Sequence, residues 1–159
     1  MCGMPNRLVL EQTRTVPVSV EDAFRGTLTH LAPACHRRYG LIPPVSRVTD
    51  NVGDWGTVGS TRTLVLSGIG SLREEVVRVD APNSLGVSMS HITGPLSALV
   101  AQIQSDLLFI PVGTGTRITW RYALHARSAL TTPALTVIGW SWRGYARQAL
   151  EELSELLVA

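Results

Sequence analysis

Apolar and polar residues alternate with a period of two through most of this chain, and with a period near 3.6 at its end. The first alternating stretch, Leu8 to Val18, is rich in β-branched residues and reads as a strand, with Pro17 near its end. Ser19 is placed to cap a helix whose first turn holds Glu21 and Asp22, where carboxylates favour the helix dipole. That helix gathers Val20, Phe24, Thr27, Leu28 and Leu31 on one side. Pro33 separates it from a short second helix, about Ala34 to Tyr39, which Gly40 ends. Pro43-Pro44 then forces an extended segment.

Six further strands are expected: Val45 to Asp50, Trp55 to Leu66, Ser71 to Asp80, Ser84 to Ile92, Leu99 to Ile110, and Thr116 to His125. Short Gly- and Pro-rich turns join them, which argues antiparallel pairing. Thr132 is expected to cap the closing helix, with Pro133 at its first position. Its buried stripe is Ile138, Trp142, Tyr145, Ala149, Leu153 and Leu156. Trp140 and Trp142 cannot share a helix face. Trp142 is expected to pack inward, leaving Trp140 to a cavity entrance or a partner surface.

Composition narrows the function classes. The 159 residues are 45% hydrophobic and 16% charged, a balance that builds a core and speaks against disorder. Every basic residue is an arginine. That excludes a Schiff-base lysine and the lysine of a phosphate-binding loop. The net charge is only +2 and the arginines are scattered, Arg37-Arg38 being the one adjacent pair, unlike the basic stripe of a nucleic-acid binder. Cys2 and Cys35 make neither a zinc pattern nor an expected disulfide, and the histidines lack metal-ligand spacing. No nucleophile elbow or dinucleotide fingerprint is present, so no metal or cofactor is expected. Met1 to Pro5 lacks signal-peptide character, and the apolar runs are too short to span a bilayer. The expectation is a soluble cytoplasmic monomer or homodimer with no integral membrane association.

Alternation also sorts the inward faces. In the third strand Val58, Ser60, Arg62, Leu64 and Leu66 share the side expected to face inward, and in the fourth Leu72, Glu74 and Val76 share one. A three-residue turn between these strands sets Glu74 beside Arg62, whereas a two- or four-residue turn sets Glu75 there. A buried arginine needs a counter-charge. The pair either holds a ligand carboxylate or enolate and poises Glu74 as a base, or is a structural ion pair. His91 follows Leu85, Val87 and Met89 in the fifth strand's apolar set, as an acid–base group or a hydrogen-bonded core residue. Asp106 sits with Gln102 and Gln104 and is expected to face solvent. In the last strand Thr116, Ile118, Trp120, Tyr122 and Leu124 point towards the helix, where Trp120 and Tyr122 either stack on an aromatic ligand or pack the core.

The element order carries a resemblance. So do Trp55, Gly56, the Gly59-Ser60-Thr61-Arg62 run, the Gly68/Gly70 turn, Arg73-Glu74, Asp80-Ala81-Pro82, Gly94-Pro95, and Gly115 to Trp120. Together these resemble the helix-grip superfamily of START and birch-pollen-allergen proteins. Within it the chain is most similar to the bacterial polyketide cyclase/dehydrase and lipid-transport branch, also called SRPBCC. The resemblance runs from about Leu8 onward. It implies an α+β fold in one domain over residues 1–159, ordered from about 8 to 158. A seven-stranded curved antiparallel sheet would wrap around a long C-terminal helix, with two short helices between the first two strands. It further implies a cavity that binds a small hydrophobic or aromatic molecule, lipid- or polyketide-like. The expected ligand-binding residues are Arg62, Leu64, Leu66, Glu74, Val76, Met89, His91, Trp120, Tyr122, Ile138, Trp142 and Tyr145. An alternative is a cofactor-free cyclase or dehydratase that moves protons through Glu74 or His91 with help from Arg62. A third is an interaction module whose cavity is filled by its own side chains.

Overall fold

The alternating segments pair into one antiparallel sheet. The computed structural model describes residues 7–34, 45–66 and 70–159. The second short helix, the Pro43-Pro44 segment, both cysteines and most of the turn through Gly68 lie outside the described residues.

β1 (Arg7–Val16) stops one residue before Pro17, which has no N–H to give the ladder. α1 (Val20–Ala34) follows, its start closed by a hydrogen bond from the Asp22 N–H to Ser19 Oγ at 3.2 Å. The helix runs through Pro33 to Ala34, so this proline lies in the last turn and does not precede a break. β2 (Val45–Val52), β3 (Thr61–Leu66), β4 (Gly70–Asp80), β5 (Ser84–Ser90), β6 (Val100–Val112) and β7 (Gly115–Ala126) complete the sheet, in the order β1-β7-β6-β5-β4-β3-β2. Register shifts in β2, β4 and β6 mark bulges, which bend strands and increase their twist.

Three expectations about strand ends are corrected. Trp55 to Ser60 is a run of tight turns, because Gly56 and Gly59 sit at φ +105° and +92°, a conformation that breaks a ladder. Val58 is consequently exposed rather than inward. β5 ends at Ser90, since His91 takes φ +52° and leaves the alternation; Ile92 is buried instead. The hairpin between β6 and β7 has two loop residues, Gly113-Thr114, because Val112 pairs with Gly115.

α2 (Thr132–Val158) lies against the sheet. Thr131, one residue before the expected Thr132, is its cap and ends a 3-10 turn, Ala129–Thr131. Gly139 lets the helix approach β1 closely, for a Cβ there would lie 2.9 Å from Leu8 Cδ2 and 3.1 Å from Leu10 Cδ2. Ile138, Trp142, Tyr145, Ala149 and Leu153 are buried as the periodicity requires. Leu156 is exposed, and its neighbour Leu157, four residues beyond Leu153, packs on Gly26 of α1 instead. Phe24 of α1 meets Phe109 of β6 edge-to-face at 5.4 Å. No helix among the described residues is long and apolar enough to cross a membrane.

Candidate ligand cavity

A cavity of about 110 Å³ lies between the inner faces of β2–β7, α1 and α2. Its walls are mostly apolar, from Leu64, Leu66, Met89 and Ile138 among others. Two features give it polarity: a buried ion pair and an aromatic wall.

β3 and β4 position the ion pair. Leu66 pairs with Gly70, leaving three residues in the turn, so Arg62 falls directly opposite Glu74. Arg62 Nε donates to Glu74 Oε1 at 2.7 Å, with side chains only 12% and 7% exposed. Glu75, the other candidate partner, faces outward. Trp55, carried back by the Gly56 turn, covers the guanidinium with its ring centroid 3.7 Å from Arg62 Cζ. Among the described residues the guanidinium makes no second hydrogen bond, and Arg62 lines the cavity. Burial pushes the Glu74 carboxyl above its ordinary value of 4.5, and the charge and hydrogen bond of Arg62 pull it only partly back.

β7 and α2 build the aromatic wall. Trp120 meets Trp142 at 5.8 Å and Tyr122 at 5.1 Å between ring centroids, and Tyr122 lies 4.6 Å from Trp142. Trp120 donates its indole N–H to Ser105 Oγ of β6 at 2.9 Å. Trp142 is 3% exposed, and its Nε1 finds no acceptor among the described residues. A buried donor of this kind is unusual and calls for an explanation.

Of the twelve expected binding residues, ten line the cavity. Val76 does not: it is fully buried beyond it, where its backbone bonds Gly59 and Ser60. His91 does not either: it is exposed, with Nδ1 3.0 Å from Ser90 Oγ, so it cannot serve as the cavity's acid or base. Asp106 faces outward as expected and pairs with Arg78 at 2.7 Å. Trp55 and Ser105 went unassigned in the sequence. Ser105 alternates with Ile103 and Leu107, so period two carried its signal. Trp55 carried none, because a glycine turn and not a strand places it. No cluster of metal-ligating side chains occurs among the described residues.

The sequence profile of the family described as "Polyketide cyclase / dehydrase and lipid transport" matches residues 7–158. The chain belongs to this family. Solved structures give the same fold for the family member. Ginseng major latex-like protein 151 from Panax ginseng superposes with a TM-score of 0.71 at 15% identity, covering 97% of this chain and 99% of that one. Norcoclaurine synthase from Thalictrum flavum, in complex with dopamine and hydroxybenzaldehyde, gives 0.69 at 18% identity over 99% and 93%. The protein Ara h 8.0201 gives 0.67 at 12% identity over 96% and 98%. At these identities the likeness is one of fold. Among curated proteins, none matches the sequence.

Proposed function

We propose that this polyketide cyclase/dehydrase and lipid transport family member binds a small aromatic molecule carrying an acidic or hydrogen-bonding group. One observation carries the reading: an apolar, aromatic-walled cavity whose buried ion pair leaves guanidinium N–H groups without a hydrogen-bond partner among the described residues. Apolar burial supplies affinity there, and a few placed polar groups supply orientation. A cavity of about 110 Å³ suits one ring, for an empty apolar cavity of ~150 Å³ takes up benzene. A longer lipid- or polyketide-like molecule requires the walls to move apart. The ligand's acidic group meets Arg62, and a ligand acceptor reaching Trp142 would satisfy its orphaned indole N–H. Norcoclaurine synthase, of the same fold, holds two small aromatic molecules.

Comparison of native and denatured masses of the freshly purified protein tests this directly, followed by titration with benzoate. The expected result is a discrete adduct lost on unfolding, or saturable benzoate binding that Arg62→Leu weakens. No adduct and no benzoate binding would sink the reading in favour of a filled-cavity module.

A second reading has its own support. Glu74 is buried, raised in pKa and within the cavity, the setting of a general acid or base. In a cyclase or dehydratase it would take a proton from carbon or give one to a leaving oxygen, with Arg62 stabilising the enolate. Glu74→Gln should then abolish turnover of an identified substrate while leaving its binding within about threefold. Unchanged turnover excludes Glu74 as the proton carrier.

A further inference from the structure

The first turns of α2 face two ways. Ile138 and Trp142 line the cavity, while Val137 and Trp140 point out of the protein, 53% and 69% exposed. These two lie three residues apart, as neighbours on one helix face. Leu130, in the 3-10 turn that leads into the same helix, is 92% exposed. Other exposed apolar side chains, such as Val9, Val58 and Val77, are valines scattered over strands and turns and need no explanation.

The charges that α2 carries next to this patch have one sign. From Thr132 to Leu150 the helix holds two arginines and not one carboxylate. Arg127 precedes the 3-10 turn, and Arg143 and Arg147 continue the exposed face of α2 beyond Trp140. Carboxylates return only with Glu151, Glu152 and Glu155, towards the far end of the helix.

Charge and side-chain type together select the occupant. A two-fold pair of chains would bring like-charged copies of Arg143 and Arg147 together around the axis. A leucine at a turn tip, a tryptophan with its indole in water and a flanking arginine row instead match the boundary between headgroups and acyl chains. The positive charge of Arg143 and Arg147 matches anionic headgroups. We propose that this face of α2, with Leu130, Val137 and Trp140 inserted and Arg143 beside them, docks on an anionic lipid bilayer. The helix that contacts the membrane is then the helix that walls the cavity.

Sedimentation of the full chain with vesicles of equal parts phosphatidylcholine and phosphatidylglycerol tests the proposal, with pure phosphatidylcholine vesicles as the reference. Binding is expected to the mixed vesicles and to be weaker to the reference. Trp140→Glu or Leu130→Glu should weaken it at least about tenfold. Arg143→Gln, removing one charge, should weaken it about fivefold. Val77→Glu, on an exposed part of β4, should leave it unchanged. All four positions are exposed, so folding is retained and circular dichroism verifies it. Absence of sedimentation with mixed vesicles overturns the proposal, as does binding indifferent to Trp140→Glu. A concentration-dependent dimer in analytical ultracentrifugation, lost in Trp140→Glu, also overturns it and assigns the face to a second copy. None of these outcomes bears on benzoate uptake, so the cavity reading stands or falls separately.

Discussion

Arg62 and Glu74 face each other across β3 and β4, joined at 2.7 Å, with Trp55 closing the other side of the guanidinium. Neither charge has much access to water, so each depends on the other. Removing one partner strands the other in an apolar wall. Arg62→Leu should therefore destabilise the fold by about 3–5 kcal/mol. The double variant Arg62→Leu/Glu74→Leu should recover most of that loss, since no uncompensated charge remains. Urea unfolding of the three proteins measures both effects, and a double variant no better than the single one would contradict the account.

Glu74 also sets a pH dependence. Its folded pKa lies above the unfolded value of 4.5, mainly through burial. The folded state thus holds this proton more tightly than the unfolded state does. The resulting stability is fully present below pH 4.5 and is lost as the pH rises through the folded pKa. Carboxyl ¹³C shifts should show one glutamate titrating above the others, and Glu74→Gln should remove that signal.

His125 acts in the opposite direction. Its Nε2 is buried without a partner among the described residues, and burial, then the charge of Arg7, lowers its pKa below 6.5. Its contribution is present above pH 6.5 and is lost as the pH falls through the lowered folded value. His125→Gln should flatten that portion of the stability profile. A profile of unchanged slope below pH 6.5 would show that His125 does not control it.

Filling the cavity separates binding from folding. Ile138→Phe adds volume beside Trp142, where about 110 Å³ stands open. Stability should change by no more than about 1.5 kcal/mol, because the ring enters existing space. Benzoate uptake should disappear. Retained uptake at full stability would place the ligand elsewhere.

Period two and period 3.6 are local properties, and they were legible in the sequence: the strand count, the closing helix, and the inward faces holding Arg62, Trp120 and Tyr122. So was the outward turn of Trp140, because two residues apart on a helix cannot face one way. Tertiary structure decided the rest. Alternation gave no way to choose Glu74 over Glu75, since the choice hangs on one residue of turn length, and the pairing of Leu66 with Gly70 made it. His91 left the cavity through a single left-handed backbone angle, which no side-chain pattern encodes. Trp55 reached Arg62 through glycine turns where alternation implied a strand. The cavity itself is the space left after side chains from two helices and six strands have packed. Its volume depends on contacts between residues up to about a hundred positions apart, so period-based reading of single segments cannot supply it.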